Sequence, residues 1–310
     1  MIAILAVVGP TASGKTSLAV ELALCLGTEI ISADSMQVYK GMEIGTCAPT
    51  PADQSRVKHH FVSFLEPDQP FSAGEFERQA RPMVEFINAR NKTALVVGGS
   101  GLYVSALLDG LFEGPPASEP VRRHLHDQAE AYGVAPLFER LQNTDPDYAQ
   151  LIQPNDLRRI VRALEVQELT GTSLSEHHRK HQQSRPTLPA IQVALDYPRE
   201  VLYDRIAKRV DRMLDSGFID EVKALLDAGH GPAIDRLRSL GYREFASYLR
   251  GEKSLQEARD AMIMLTRRYA KRQLTWFRAD PRIHWLPATE NDPPESFVER
   301  VLQISGLNVP

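Results

Sequence analysis

The sequence predicts an α/β fold in which a parallel sheet is flanked by helices and is interrupted by an inserted all-helical domain. Short apolar runs that alternate with helical patterns indicate the sheet, because strands covered on both faces by helices are apolar throughout. The predicted strands are 2–8, 29–33, 93–97 and 190–195. After Gly114 a polar, helical stretch without any strand-like run indicates the insertion.

Helical periodicity follows the strands. Leucines at every fourth position place one helix face over residues 16–26, and further helices are predicted at 75–89 and along most of 199–276. The last thirty residues, which include Pro287, Pro293 and Pro294, are predicted to form a loosely structured end. The predicted units are a core of 1–114 and 190–286, an inserted helical domain of 115–189 and a C-terminal tail of 287–310.

The composition is that of a globular protein. A chain of 310 residues with 43% hydrophobic and 25% charged residues is typical of about two domains. No apolar run reaches about 18 residues, so we expect no membrane span, and the short apolar start favours a buried strand over a signal peptide. We therefore expect a cytoplasmic protein, and a monomer because no coiled-coil seam is present. Cys25 and Cys47 are expected to be reduced thiols.

The charge balance bears on the partner. A net charge of −4 argues against a dedicated nucleic-acid binder, which usually carries a basic excess. An RNA partner would require local concentrations of positive charge, and 154–162 and 267–278 are two such segments. In the second, helical spacing puts Tyr269 and Trp276 on an apolar stripe, so these aromatic side chains are expected in the core.

A phosphate-binding loop connects the first strand to the first helix. Its pattern is G-x-x-x-x-G-K-[ST], and the flanking strand and helix are the context that supports such a match. Backbone N–H groups and the positive end of the helix converge on one point, to which a lysine adds charge. The loop consists of Gly9, Pro10, Thr11, Ala12, Ser13, Gly14, Lys15 and Thr16. The fold is therefore predicted to be P-loop NTPase-like, and the ligand is either a nucleoside triphosphate or a diphosphate leaving group.

An aspartate follows the second strand, at the same edge of the predicted sheet. Asp34 can support Mg²⁺ beside the phosphates, act as a base on an acceptor, or serve only as a turn or cap residue. Gly98 and Gly99 follow the third strand, and ligands of such sheets bind where the strands end. The three strand ends together predict one site.

Six motifs in fixed order carry a resemblance to a known family. They are GPTASGKT (9–16), DSMQVYKGMEIGT (34–46), GGSGLY (98–103), PNDLRRIVRALEV (154–166), GYREF (241–245) and AKRQLTWFR (270–278). The set resembles the bacterial tRNA dimethylallyltransferase (tRNA isopentenyltransferase) family. The resemblance implies transfer of a dimethylallyl group from dimethylallyl diphosphate to N6 of the adenine 3′-adjacent to the anticodon, in tRNAs that read codons beginning with U. Diphosphate is released and Mg²⁺ is the implied cofactor.

The resemblance also implies roles for single residues at the reaction centre. Lys15 and Thr16 would hold the diphosphate and Mg²⁺, and Arg209 would reach the same diphosphate. Asp34 would take the proton of the adenine amine, with the Ser100 hydroxyl beside it. Ser35, Met36 and Gln37 would hold the flipped adenine.

Further residues are implied to bind the anticodon stem-loop of tRNA. In and near the inserted domain these are Arg122, Arg158, Arg159, Ile160, Val161 and Arg162. Near the end of the last long helix they are Lys271, Arg272, Gln273, Thr275, Trp276 and Arg278. The histidines at 177, 178 and 181 are expected in a flexible polar loop rather than in a metal site.

Three alternatives remain open from the sequence. An adenylate prenyltransferase would alkylate free nucleotide and lack the insertion. A phosphate-loop small-molecule kinase would need a lid with arginines and a pocket for a hydroxyl acceptor. An RNA-binding protein could use the nucleotide only as a switch.

Overall fold

Strands and helices alternate in the first third of the chain, as the apolar runs predict. A computed structural model describes residues 3–112, 114–184 and 187–307. The elements of this part are β1 (Ile4–Val8), α1 (Lys15–Leu26), β2 (Ile30–Ser32), α2 (Glu43–Thr46), α3 (Pro51–Arg56), β3 (His59–His60), α4 (Ala73–Asn88), β4 (Ala94–Gly98) and α5 (Gly101–Asp109). The predicted strands are present with bounds that differ by one or two residues, and Ile2 lies outside the described residues.

Five helices follow, with no strand among the described residues between α5 and β5. They are α6 (Glu119–Tyr132), α7 (Ala135–Thr144), α8 (Pro146–Ala149), α9 (Leu157–Thr170) and α10 (Leu174–Ser184). The histidines at 177, 178 and 181 belong to α10, and the ring of His177 stacks on Phe112 at 4.4 Å. The prediction of a flexible loop at this position is therefore wrong.

The last part returns to the sheet and then adds helices. Its elements are β5 (Ala190–Asp196), α11 (Arg199–Asp215), α12 (Phe218–Asp227), α13 (Gly231–Leu237), α14 (Tyr242–Leu249), α15 (Leu255–Arg278), β6 (Ile283–Pro287), a 3₁₀ turn (Pro294–Phe297) and α16 (Val298–Ser305). The loosely structured end is a wrong prediction for the described residues, because Phe297 and Val301 are buried against the core beside α1.

The six strands form one parallel sheet in the order β3-β2-β4-β1-β5-β6. β1 lies between β4 and β5, with Val8 level with Gly98 and Ala194. The carboxyl ends of β1, β2 and β4 therefore meet at one edge, and the segments that follow them start side by side.

Gly98 lets two of these strand ends approach closely. A Cβ at this position would overlap the carbonyl group of Ala33, so only glycine permits the observed spacing of β4 and β2. The backbone N–H of Ala33 donates to the carbonyl oxygen of Val97 at 2.7 Å. Residues 34–37 and 98–100 are thereby fixed beside the phosphate loop.

The chain divides into two compact units, residues 109–187 and the remainder. The larger unit has one apolar core between the sheet and α1 and a second among α11, α12, α14 and α15. The helical unit has its own core, centred on Leu125, Leu141, Ile160 and Leu164. No helix in the described part of the chain combines the length and the apolar character needed to cross a bilayer.

Candidate active site

A cavity of about 270 Å³ opens at the edge of the sheet where β1, β2 and β4 end. The phosphate loop contributes Thr11, Lys15 and Thr16 to its wall, and residues 34–37 face it from the end of β2. Arg209 reaches it from α11. The residues predicted to hold diphosphate and adenine therefore meet at one cavity, as the convergence of strand ends predicts, except that Ser100 is buried and does not line it.

The phosphate loop is wound tightly around its lysine. Gly9 and Gly14 have φ angles of +129° and +84°, which L side chains rarely adopt, and α1 begins directly after Gly14. The Lys15 ammonium donates to the carbonyl oxygen of Pro10 at 2.6 Å, and the Ser13 hydroxyl donates to the same oxygen at 2.9 Å. These bonds leave the amino end of α1 directed toward the cavity, where it favours an anion.

The electrostatics of Lys15 also favour an anion. Burial, followed by the nearby positive charge of Arg209, lowers the pKa of Lys15 to about 7, against the opposing effect of Asp34. Two cations close together in a desolvated place repel each other until negative charge arrives. A diphosphate on this loop would supply that charge.

The arginines of α11 are separated by the helix geometry, which settles the register that the sequence left uncertain. Arg209 lies on the cavity and donates to the carbonyl oxygen of Thr46 at 3.3 Å. Arg205, one turn earlier, instead donates to the carbonyl oxygen of Ala12 at 2.9 Å. Arg212 is exposed. Arg209 is therefore the arginine of this set that lines the cavity, and Arg205 braces the phosphate loop.

Asp34 both shapes its own turn and faces the cavity. Its Oδ1 accepts hydrogen bonds from the backbone N–H groups of Met36 at 2.9 Å and Gln37 at 3.4 Å. The turn role considered from the sequence is present, and it fixes the carboxylate in place. The Ser100 hydroxyl accepts from the backbone N–H of Ser35 at 3.0 Å and donates to the Ser35 hydroxyl at 3.2 Å, so Ser100 supports the Asp34 turn from behind.

The amide of Gln37 is held from both sides. Its oxygen accepts from the Ser32 hydroxyl at 2.9 Å, and its nitrogen donates to the carbonyl oxygen of Cys47 at 3.1 Å. These bonds fix which way the amide is turned. Gln37 is thus a rigid part of the cavity wall.

Gln273 has a role that the sequence did not reveal. Its side chain is only 5% exposed, its oxygen accepts from the backbone N–H of Thr11 at 2.8 Å and its nitrogen donates to the carbonyl oxygen of Gly99 at 2.8 Å. One amide therefore ties the phosphate loop to the loop after β4. Both of these polar bonds lie within the protein, and Gln273 faces the cavity as part of its frame.

Apolar side chains complete the wall of the cavity. They are Val210, Met213, Leu237, Leu240 and Met262. Sequence reasoning missed them, although Val210 and Met213 follow Arg209 on α11 at helical spacing. Tyr269 also lines the cavity, and burial followed by the charge of Asp34 raises its pKa to about 12, which keeps the phenol neutral.

In the helical unit, two predicted RNA contacts converge on a buried carboxylate. Glu165 is fully buried and accepts from Arg122 at 2.9 and 3.1 Å, from Arg162 at 2.7 Å and from the backbone N–H of Ser118 at 2.7 Å. The guanidinium groups are roughly one-third exposed, so they hold the unit together and still present charge to solvent.

The rest of the predicted RNA-binding stretch of α9 is divided by burial. Arg158 and Arg159 are exposed. Ile160 and Val161 are buried in the core of the unit, so their side chains do not face a ligand and the predicted tRNA contact cannot be made by them. Helical periodicity explains the alternation, since adjacent residues point to different faces.

The end of α15 presents polar and aromatic groups to solvent. Lys271, Arg272, Thr275, Trp276 and Arg278 are exposed, and Arg272 also borders the cavity. Trp276 is 44% exposed, so the expectation that it lies in the core is wrong. Its ring packs against Gly101, where any Cβ would overlap the indole.

Comparison with known proteins agrees with this geometry. A model of the family described as IPP transferase matches residues 37–280. The chain belongs to the IPP transferase family. It is 48% identical over 284 residues, 92% of this chain and 83% of the relative, to the tRNA dimethylallyltransferase of Syntrophobacter fumaroxidans. It is 47% identical to tRNA dimethylallyltransferase 1 of Pelobacter propionicus over 93% of each chain.

Solved structures of IPP transferases have the same fold. The full-length tRNA isopentenylpyrophosphate transferase of Bacillus halodurans is similar with a TM-score of 0.70 and 39% identity, over 98% of this chain and 95% of that one. A eukaryotic dimethylallyltransferase acting on tRNA is similar with a TM-score of 0.80 and 27% identity, over 99% of this chain and 80% of that one. The P-loop NTPase-like class predicted from the sequence is confirmed.

The cavity of this IPP transferase also has the donors that Mg²⁺ would need. Mg²⁺ prefers oxygen ligands and is commonly held by one or two protein oxygens together with substrate phosphates. The Thr16 residue and the Asp34 carboxylate are on the same wall, beside the place where the phosphate loop would hold a diphosphate. The residues present fit the ion.

Proposed function

We propose that this chain transfers the dimethylallyl group of dimethylallyl diphosphate to the exocyclic N6 amine of the adenine at position 37 of tRNA, 3′-adjacent to the anticodon, and releases diphosphate. The tRNAs are those that read codons beginning with U. One observation carries the proposal: a single cavity is lined by the phosphate loop, by the cations Lys15 and Arg209, by the fixed Asp34 carboxylate and by apolar side chains. The names of the relatives, tRNA dimethylallyltransferases at 47–48% identity, support the same reaction.

The phosphate end stabilises the leaving group. When the bond between the allylic carbon and oxygen breaks, negative charge accumulates on the diphosphate oxygens. Lys15 and Arg209 lie on the cavity, and their charges, together with the amino end of α1, would stabilise that charge as it develops. When bound, Mg²⁺ held by Thr16, with Asp34 nearby, would neutralise further charge on the same oxygens.

The Asp34 carboxylate serves the nucleophile. The N6 nitrogen attacks the allylic carbon, the carbon–oxygen bond breaks, and the N6 proton becomes acidic as the new bond forms. Asp34 accepts that proton, because its carboxylate is held at the cavity by the N–H groups of Met36 and Gln37. The fixed amide of Gln37 can pair with one edge of the base.

The apolar part of the cavity wall suits a five-carbon chain and excludes water. Val210, Met213 and Met262 are nearly fully buried, so they form a dry wall. Water that reached the allylic carbon would compete with the amine, and its exclusion also strengthens the charge interactions at the phosphate end.

The tRNA anticodon stem-loop is the macromolecular partner in this proposal, and the chain acts as a monomer. Exposed Arg158 and Arg159 on α9, and Lys271 and Arg272 on α15, offer cations to the RNA backbone. These residues supply the local positive charge that an RNA partner requires, although the whole chain has a net charge of −4. Position 37 lies in a single-stranded loop, from which a base can be extruded at low cost.

The deciding experiment offers labelled dimethylallyl diphosphate to the protein with unmodified tRNA and, separately, with AMP. Label is expected in tRNA at position 37 and not in AMP. Label in AMP alone would establish the adenylate prenyltransferase alternative, and a phosphorylated product formed from ATP without any alkylation would establish the kinase.

A substitution assigns the proton acceptor. Asp34→Asn keeps an oxygen for the turn but removes the base, so turnover is expected to fall by at least a hundredfold with tRNA affinity within about twofold of the unaltered protein. Asp68→Asn, an exposed aspartate in the same unit, is the matched control. Unchanged turnover in Asp34→Asn would eliminate Asp34 as the base.

A further inference from the structure

A partly buried hydrogen-bond network beside the cavity has no part in the chemistry described above. Its centre is Glu221 on α12, whose carboxylate accepts from the backbone N–H groups of Ile44 at 2.7 Å and Gly45 at 2.9 Å. The hydroxyl of Tyr242, a fully buried residue, donates to the same carboxylate at 2.7 Å. A glutamate far away in the sequence thus holds the short α2 turn through hydrogen bonds to its backbone.

Gly45 allows the α2 turn to approach Glu221 closely. A Cβ on Gly45 would lie 2.5 Å from the Tyr242 hydroxyl oxygen and would also overlap the ring of Phe218. Glycine is therefore needed so that the backbone can approach the carboxylate and the two rings. The two backbone N–H groups that face Glu221 can only donate, and the Tyr242 hydroxyl, which also lies 3.0 Å from the carbonyl oxygen of Met42, is its third polar neighbour.

The carbonyl groups at the end of the same turn hold two side chains of the candidate site. The carbonyl oxygen of Thr46 accepts from Arg209 at 3.3 Å, and that of Cys47 accepts from Gln37 at 3.1 Å. Both Arg209 and Gln37 line the cavity. One turn therefore sets the position of both.

We infer that Glu221 is a positioning residue of the transfer reaction, which acts through the α2 turn to aim Arg209 at the diphosphate and Gln37 at the base. This role rests on the proposed function, since it presumes those two ligands. Glu221 does not line the cavity and so touches neither substrate. It couples α12 to the site across more than 170 residues of sequence.

The test uses Glu221→Gln, which keeps the shape but turns an amide NH₂ toward donors. The control is Asp220→Asn, which removes a charge from the neighbouring, exposed position of the same helix. The first readout is calorimetric binding of inorganic diphosphate, which needs no catalytic activity. Glu221→Gln is expected to weaken diphosphate binding roughly tenfold, because Arg209 is no longer held in the position from which it hydrogen-bonds to the diphosphate. Asp220→Asn is expected to leave diphosphate binding unchanged.

A double-mutant cycle with Arg209→Ala separates positioning from simple loss of stability. If Glu221 acts through Arg209, then Glu221→Gln has little further effect on diphosphate binding once Arg209 is removed. If the two losses multiply in full, the positioning role is wrong. Should Glu221→Gln fail to fold, Tyr242→Phe removes one hydroxyl from the network, keeps the buried ring and is subjected to the same cycle.

The prenylation readout distinguishes this inference from the proposed function. Glu221→Gln is expected to lower kcat with tRNA as well as diphosphate affinity, with Asp220→Asn equal to the unaltered protein. If the unaltered protein alkylates no tRNA but the diphosphate cycle still shows coupling, the proposed function fails and the positioning of Arg209 stands. If tRNA is alkylated and the cycle shows no coupling, the opposite holds.

Discussion

Replacing Gln273 by leucine tests whether this residue frames the cavity or contacts tRNA. The resemblance to the tRNA dimethylallyltransferases places it in an RNA-binding stretch, whereas the structure uses its amide to join Thr11 to Gly99. Leucine has similar volume, so the substitution removes both hydrogen bonds without opening a large cavity. The two readings predict opposite outcomes for stability and for tRNA affinity.

The expected loss of stability follows from the groups left behind. The carbonyl oxygen of Gly99 loses its partner beside a buried side chain, and a buried polar group left without a partner costs about 1–3 kcal/mol. The backbone N–H of Thr11 borders the cavity, where water can replace the amide, so its loss is about 1 kcal/mol. Together the change is about 2–4 kcal/mol, or about 4–8 °C in Tm at roughly 2 °C per kcal/mol for a large chain.

The assay is thermal unfolding beside tRNA and diphosphate binding. Gln273→Leu is expected to lower Tm and to weaken diphosphate binding, because the phosphate loop loses a brace, with tRNA affinity nearly unchanged. Gln256→Leu, at an exposed site on the same helix, is the control and is expected to shift Tm by less than about 1 °C. An unchanged Tm with a large loss of tRNA affinity would refute the framing role and restore the RNA contact.

Three further predictions follow from the same geometry. Because the pKa of Lys15 is about 7 and a bound anion would raise it, diphosphate binding above pH 7 is expected to take up a proton and to weaken as pH rises. Calorimetry in buffers of different ionisation enthalpy measures this uptake, and the part that depends on Lys15 should be absent in Lys15→Met. Burial would raise the pKa of Glu165, but hydrogen bonds from Arg122 and Arg162 hold it below its usual 4.5, so the stability that this carboxylate contributes is present above pH 4.5 and is lost on acidification. Glu165→Gln is expected to lower the free energy of unfolding by about 2–4 kcal/mol at pH 7 and to make it fall less steeply in acid. An equally steep fall in denaturant titrations of the variant would contradict this. Gly45→Ala is expected to cost about 1–3 kcal/mol by overpacking, and a loss under 0.5 kcal/mol in urea unfolding (roughly the scatter of neutral substitutions) would show that the Tyr242 side yields easily.

The parts of the fold that the sequence predicted are those with a strong local signal. β1, β2, β4 and β5 are short apolar runs, and burial on both faces demands that composition. β6 was missed because its sequence, IHWLP, mixes exposed and buried positions and ends in proline. The final helix was missed for a similar reason: prolines just before it indicated a loose end, whereas burial of Val301 against the core stabilises it.

The candidate site was predicted where function requires a contiguous motif. The phosphate loop needs its glycines, lysine and threonine in one short segment, so local sequence suffices. Arg209 was predicted only through the resemblance, and the spacing of Arg205 and Arg212 left the register open until α11 placed each on a different face. For a single helix, residues three and four apart cannot be ranked without knowing what packs against it.

Gln273 and Glu221 mark the limit of sequence reasoning. Each forms its essential hydrogen bonds with backbone groups more than 170 positions away. Since every residue type has a backbone carbonyl and nearly every one a backbone N–H, the sequence gives no sign of which backbone group is the partner. From the sequence alone, a polar side chain on a helix is expected to face solvent, and its burial becomes visible only in the structure. The cavity is thus specified at two levels: short motifs supply the groups that touch substrate, and isolated polar residues on distant helices fix where those groups point. Substitutions at the second level should alter affinity and rate together with stability, which the double-mutant cycle on Glu221 and the assays of Gln273→Leu are designed to detect.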